Sequence, residues 1–192
     1  MQRKKFTEEQ ILNYTAQITL SLLALHSKHI LHRDVKTQNI LIKEGVLKLG
    51  DFGISKALAD DDELATTACG TLYFMSPEVC IKEPYGPKAD LWAMGVILYE
   101  LITLKKPFEG PNTRILFDKI VNQPLDPLPD DTSADVQLVV KALLNKNIDR
   151  RPTIVEVAKI PCINKKIEEF INEYNCKEEV LSFFEVETEN QN

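Results

Sequence analysis

The sequence predicts a mainly α-helical fold carrying one short β-hairpin, and three observations support it. Thr7-Glu8-Glu9-Gln10 is a capping box, a hydroxyl at the N-cap with Gln three residues on, and it opens an amphipathic run. The segments ILIK and VLKLG are β-rich runs parted only by Glu44-Gly45, whose glycine suits a tight hairpin turn. Downstream, apolar residues recur at helical spacing or in one long apolar stretch, with no further alternating pattern.

Taken in order, the first helix follows the capping box. Ile11, Tyr14, Ile18, Leu22 and Leu25 give it one apolar stripe to roughly Lys28. The hairpin comes next. Leu91 to Thr103 reads as a core helix opened by Asp90 and bounded inside by Glu100, too short to span a bilayer. Pro124, Pro127 and Pro129 mark an extended connection. Thr132 to Asn145 is predicted helical from Val136, Val139, Val140, Leu143 and Leu144, and NIDRRPTI leads by Pro152 into another short helix.

At 192 residues and 44% apolar content, one domain with a sizeable core is expected. Cys69, Cys80, Cys162 and Cys176 lack CxxC spacing, so reduced thiols in a cytoplasmic compartment are the reading. MQRKKFTEEQ has no apolar signal region, and Gln2 stands where myristoylation needs glycine. The net charge is −6, and residues 164 to 192 hold eight Glu against three Lys, a net of −5 that leaves −1 upstream. A nearly neutral body makes no basic face for nucleic acid. The division therefore falls at 163, with 164–192 expected to be an acidic, helical or weakly ordered tail whose Val180, Leu181, Phe183 and Phe184 form a small apolar cluster.

The chemistry resides in two strings, HRDVKTQN at His32 to Asn39 and DFG at Asp51 to Gly53. Both place carboxylate or amide oxygens where a metal-bound nucleotide and a hydroxyl nucleophile must meet, which points to phosphoryl transfer. A hairpin between them returns Asp51 to the neighbourhood of Asn39, so two oxygen ligands converge on one hard cation such as Mg²⁺. Asp34 can orient a substrate hydroxyl and accept its proton, and Lys36 supplies a positive charge beside the transferring phosphate. His26, His29 and His32 recur at three-residue intervals, but the helix ends between them and no cysteine or acidic ligand joins them, which disfavours zinc.

HRDVKTQN, KLGDFGISK, GTLYFMSPE and DLWAMGVILYELITLKKPF, in that order, resemble the C-terminal lobe of a eukaryotic protein kinase over residues 7 to about 163. HRDVKTQNILI, the TxxGTxYxxSPE segment and ELITLKKPFEGPN are most similar to NIMA-related kinases. The resemblance implies a serine/threonine kinase that uses ATP and Mg²⁺ on a protein substrate. Asp34 would be the base, Lys36 the phosphate-contacting lysine, Asn39 and Asp51 the metal ligands, and Leu41 the residue under adenine. It further implies His32 packed under Phe52, Glu78 paired with Arg151, and Asp90 bonded to the HRD backbone, where the residues alone equally allow a plain N-cap. Residues 54 to 75 would be the activation segment, with Thr71 the serine/threonine-type threonine and Thr67, rather than Thr66, the phosphorylated one, reached by Arg33. Cytoskeletal, centrosomal or ciliary partners follow by the same likeness.

The residues before Thr7 hold no glycine-rich loop, strand lysine or helix glutamate, so the nucleotide roof is expected to be missing from this chain. The competing readings are a lobe-only regulatory or binding module and a small-molecule phosphotransferase, the latter at odds with GTLYFMSPE.

Overall fold

A computed structural model describes residues 5 to 51 and 70 to 189. The expectations for Phe52, Gly53, Cys69, Thr66 and Thr67 lie outside the described residues. Within them the chain is mainly helical, with one two-stranded antiparallel sheet.

Helix α1 (Glu8–His26) starts as its capping box requires: Thr7 Oγ1 accepts from the Gln10 amide at 3.2 Å, and the Thr7 amide donates to Gln10 Oε1 at 2.9 Å. It ends at His26, two residues before the expected Lys28, with Ser27 as C-cap. Its middle is buried nearly all round, from Thr15 to Leu20, a wider band than the stripe predicted. Thr15 and Thr19 tolerate this because their hydroxyls donate to the carbonyls of Ile11 and Thr15, one turn back.

Strands β1 (Ile40–Lys43) and β2 (Val46–Leu49) pair Ile40 with Leu49 and Lys43 with Val46. Glu44 (φ 53°) and Gly45 (φ 83°) are both left-handed, the geometry of the two-residue turn that matches strand twist. A side chain at Gly45 would meet nothing within 4 Å, so its glycine answers to the dihedral angle rather than to space.

Short α2 (Pro77–Cys80) precedes α3 (Pro87–Thr103), the buried centre of the molecule. Gly86 is the N-cap of α3 and Pro87 its first residue. The plain N-cap reading of Asp90 is thereby overturned: the residue lies inside the first turn and its side chain reaches elsewhere. The sequence reading did not mark α4 (Thr113–Asn122), capped by Asn112. The three prolines lie in an irregular connection to α5 (Ala134–Leu143), which is shorter at both ends than expected because Ser133, not Thr132, caps it. Helices α3 and α5 meet at Gly95, where even a Cβ would lie 2.8 Å from that of Leu143. Only glycine lets these helices approach so closely. A second capping box, Thr153 with Glu156, opens α6 (Ile154–Ala158).

The compositional boundary at 163 falls inside α7 (Pro161–Tyr174), and α8 (Lys177–Glu189) follows. Where the chain is acidic it is helical rather than weakly ordered. Ile163 and Ile167 of α7 and Val180 of α8 are buried in the same core as α1, with Phe183 and Phe184 against it. Lys166 bonds both Glu169 and Glu9, adding a polar seam between α7 and α1.

Ile167→Ala should therefore cost about 2–5 kcal/mol of stability, the range for truncating a buried aliphatic side chain. Urea denaturation measures it, and a loss under about 0.5 kcal/mol, typical of surface changes, would show that α7 is not part of the core.

Candidate active site

The site begins with a buried carboxylate. Asp90, fully buried, accepts hydrogen bonds from the amides of His32 (3.0 Å) and Arg33 (3.1 Å), from His26 Nε2 (2.9 Å) and from the Tyr85 hydroxyl (2.6 Å). Burial acts to raise its pKa, but the bonds from His26, Tyr85 and the His32 amide outweigh that and hold the carboxyl below its ordinary 3.8. Arg33 adopts a left-handed backbone (φ 64°), as does Asp51 (φ 54°). Non-glycine residues hold that conformation only where neighbours enforce it, and at Arg33 the enforcer is the Asp90 carboxylate.

His32 is fully buried and bonded on both ring nitrogens: Nδ1 accepts from the Asp34 amide at 3.3 Å, and Nε2 lies 3.1 Å from the Gly50 carbonyl. A ring that accepts at Nδ1 and donates at Nε2 is the neutral Nε2–H tautomer. Burial, the largest influence, lowers its pKa against the pull of Asp90, the Gly50 carbonyl and Asp34, which agrees with that neutral form.

This base presents the reacting groups. Asp34 Oδ2 lies 2.7 Å from Lys36 Nζ and 3.0 Å from Asn39 Nδ2, and Nδ2 also donates to the Asp34 carbonyl at 2.8 Å. Lys36 Nζ also reaches Thr71 Oγ1 at 3.2 Å, joining the loop to the turn Thr71–Phe74. Both partners of Asn39 Nδ2 are oxygen acceptors, so the orientation of the amide is fixed and its Oδ1 faces away from Asp34. A bond from the Gly50 amide to the Asn39 carbonyl (2.9 Å) closes the hairpin base, and Asp51 follows with its side chain exposed. One carboxylate and one amide oxygen at the hairpin base are a donor set that Mg²⁺ accepts. Leu41 is 66% exposed on β1, an apolar side chain open to solvent on one face of the hairpin.

Behind the site, Arg151 is held by Glu78 through two parallel bonds of 2.8 and 2.9 Å and donates to the carbonyls of Lys88 and Asn145. Its guanidinium lies 5.1 Å over the Trp92 ring. Burial pushes the Glu78 carboxyl up, but the Arg151 bonds outweigh it and leave the pKa below the ordinary 4.5. The structure thus brings together Asp34, Lys36, Asn39 and Thr71, with His32, Arg33 and Asp90 behind them. The three histidines serve apart: His26 on Asp90, His32 on Gly50, and His29 in an exposed left-handed turn. Sequence reasoning missed Tyr85 and the true role of His26, because neither carries a local signal for a carboxylate 5 or 64 residues away.

Residues 1–163 match the protein kinase domain family, and the chain belongs to it. Its curated relatives include the serine/threonine-protein kinases Nek1 of Mus musculus (43% identical over 168 residues, 87% of this chain and 14% of that protein) and Nek5 of Homo sapiens (40% over 176 residues, 91% and 25%). Another is nekl-2 of Caenorhabditis elegans, 41% identical over 163 residues, 84% of this chain and 45% of that protein. The chain thus spans less than half the length of these relatives, and the likeness to NIMA-related serine/threonine kinases is borne out. Among the described residues no helix is long and apolar enough to cross a membrane.

Because the folded-state pKa of Glu78 lies below 4.5, its contribution to stability is complete above that pH and is lost as pH falls through the depressed folded value. Glu78→Gln, which leaves a buried guanidinium unpaired, should cost about 3–5 kcal/mol at pH 7. The gap between wild type and variant should narrow as pH drops below 4.5. Urea melts at pH 7 and pH 3.5 measure both, and a gap independent of pH would refute the assignment.

Proposed function

We propose that this chain carries the catalytic lobe of a serine/threonine protein kinase that transfers the γ-phosphate of ATP to a protein Ser or Thr hydroxyl. The observation that carries the reading is the Asp34 carboxylate held between Lys36 and the Asn39 amide, with Lys36 extended to Thr71. Asp34 orients the acceptor hydroxyl and takes its proton; Lys36, bonded to it in the free site, turns to the transferring phosphate when ATP is bound. Asn39 Oδ1 and the Asp51 carboxylate would hold Mg²⁺, which when bound supplies neutralisation of the phosphate charge. Leu41 offers an apolar surface to the adenine ring. Partners at the cytoskeleton, centrosome or cilium, and a cytoplasmic setting, belong to the same reading by analogy with the family.

The experiment is Asp34→Asn in the full-length protein. It should lower kcat by about 10²–10⁴, the range for a lost general base, with nucleotide affinity little changed. Asp51→Asn should instead raise the Mg²⁺ concentration needed. Wild-type rates in both would refute the assignment, and a wild type inert toward serine/threonine substrates would favour the lobe-only binding module.

Thr67 is proposed as the regulatory phosphosite, because Arg33, whose side chain is exposed beside the catalytic aspartate, can pair with a phosphate carrying about −1.5 to −2 charges. Thr67→Ala should lower activity strongly and Thr66→Ala mildly, and Arg33→Ala should remove the response to phosphorylation. Full activity of Thr67→Ala, with Thr67 shown by mass spectrometry to be phosphorylated in the wild type, would rule this out.

A further inference from the structure

Gln17 lies mid-way along α1 and is 4% exposed, an unusual place for a carboxamide. Its head group serves the hairpin rather than the helix. Oε1 accepts from the Leu47 amide at 2.7 Å, and Nε2 donates to the Gly45 carbonyl at 3.1 Å, with a longer bond to Asn13 Oδ1 at 3.3 Å. A backbone amide only donates and a carbonyl only accepts, so the orientation of this amide is unambiguous. β2 is an edge strand, and Leu47, itself buried, would otherwise leave an amide without a partner away from water.

The other end of β2 is held separately. The Gly50 amide donates to the Asn39 carbonyl, and the Gly50 carbonyl meets His32 Nε2. Asn39 is itself fixed to Asp34 through its side chain. With the Gln17 bonds lost, the turn end would keep only the apolar packing of Leu47, while the far end keeps its hydrogen bonds at Gly50, so the hairpin gains freedom to tilt about that base. Asp51 continues the line of β2 just past that base while Asn39 stays on Asp34, so a tilt swings the Asp51 carboxylate relative to the Asn39 oxygen with which it would share a cation.

We propose that Gln17 is a positioning residue for the Asn39–Asp51 pair, setting the tilt of the hairpin against α1 and hence the geometry offered to a divalent cation. This rests on the reading of that pair as a metal–nucleotide site. The nearest substitutes all fall short of it. Gln17→Glu would turn an anionic oxygen on the Gly45 carbonyl, Gln17→Asn leaves the amide one methylene short, and Gln17→Met keeps the length without either bond.

Three variants test it: Gln17→Met, Gln17→Glu, and Val139→Ala as a buried change on α5 that loosens the core away from the hairpin. In this chain, amide hydrogen exchange at Leu47 should quicken about tenfold or more in both Gln17 variants relative to Val139→Ala, as expected for loss of a buried hydrogen bond, while Gly50, still bonded to Asn39, should change less. In the full-length protein, Mn²⁺–ATP affinity read by electron paramagnetic resonance should fall several-fold in Gln17→Met and Gln17→Glu and hold in Val139→Ala. A purely structural role would move the melting temperature of all three and leave metal affinity alone. Exchange at Leu47 matching the Val139→Ala control, or unaltered metal affinity where the wild type binds, overturns the inference by itself. A wild type that binds no metal–nucleotide overturns the functional reading first and this inference with it.

Discussion

Every functional group of the site ultimately depends on one buried carboxylate. Asp90 lies in the first turn of α3, where the helix dipole favours negative charge, and gathers hydrogen bonds from two consecutive backbone amides, an imidazole and a phenol. Those contacts join the end of α1, the start of α3 and the loop that presents Asp34. A charge so deeply buried is tolerable only when its oxygens are satisfied, and four donors do that. The reciprocal holds for the loop: a left-handed Arg33 between two amides aimed at one point persists because an anion sits at that point.

From this anchor the order of the site propagates through short, directional bonds. His32, fixed by its amide to Asp90, holds the Gly50 carbonyl with its ring; Gly50 closes the hairpin on Asn39; Asn39 returns to Asp34. The Glu78–Arg151 pair performs a parallel service behind the site. There it ties the segment after Thr71–Phe74 to the Lys88 and Asn145 carbonyls, so two buried ion-based clusters bracket the segment between Glu78 and Asp90.

Much of this was legible in the sequence, where local chemistry decides structure. The capping box at Thr7, the left-handed turn at Glu44-Gly45 and the helical spacing from Val136 to Leu144 each state their outcome within a few residues. HRDVKTQN and DFG identify the reacting groups because phosphoryl transfer constrains residue type at fixed spacing. Illegible were the features that long-range packing settles. Asp90 looked as much like a cap as an anchor, since three of its four partners lie 57 to 64 residues back, and the burial all round the middle of α1 depends on helices at the far end of the chain. Helix α4 shows only one buried turn repeat, Leu116 to Ile120, too short a signal to part it in sequence from the glycine-proline loop before it. The acidic count of the tail argued for solvation, but the isoleucines of α7 repeat at one-turn spacing and outweigh it.

The packing of α1 against α7 has a consequence for how the protein comes into being. Once α1 has left the ribosome, it meets its principal neighbour only after some 150 further residues have been made. At synthesis rates of about 5–20 residues per second, that interval is roughly 8–30 s. Until then α1 can be covered only in part, by β2 and α3, and the face that α7 takes stays open to water. A core that α7 and α8 complete over α1 is finished only when the last described helices are made.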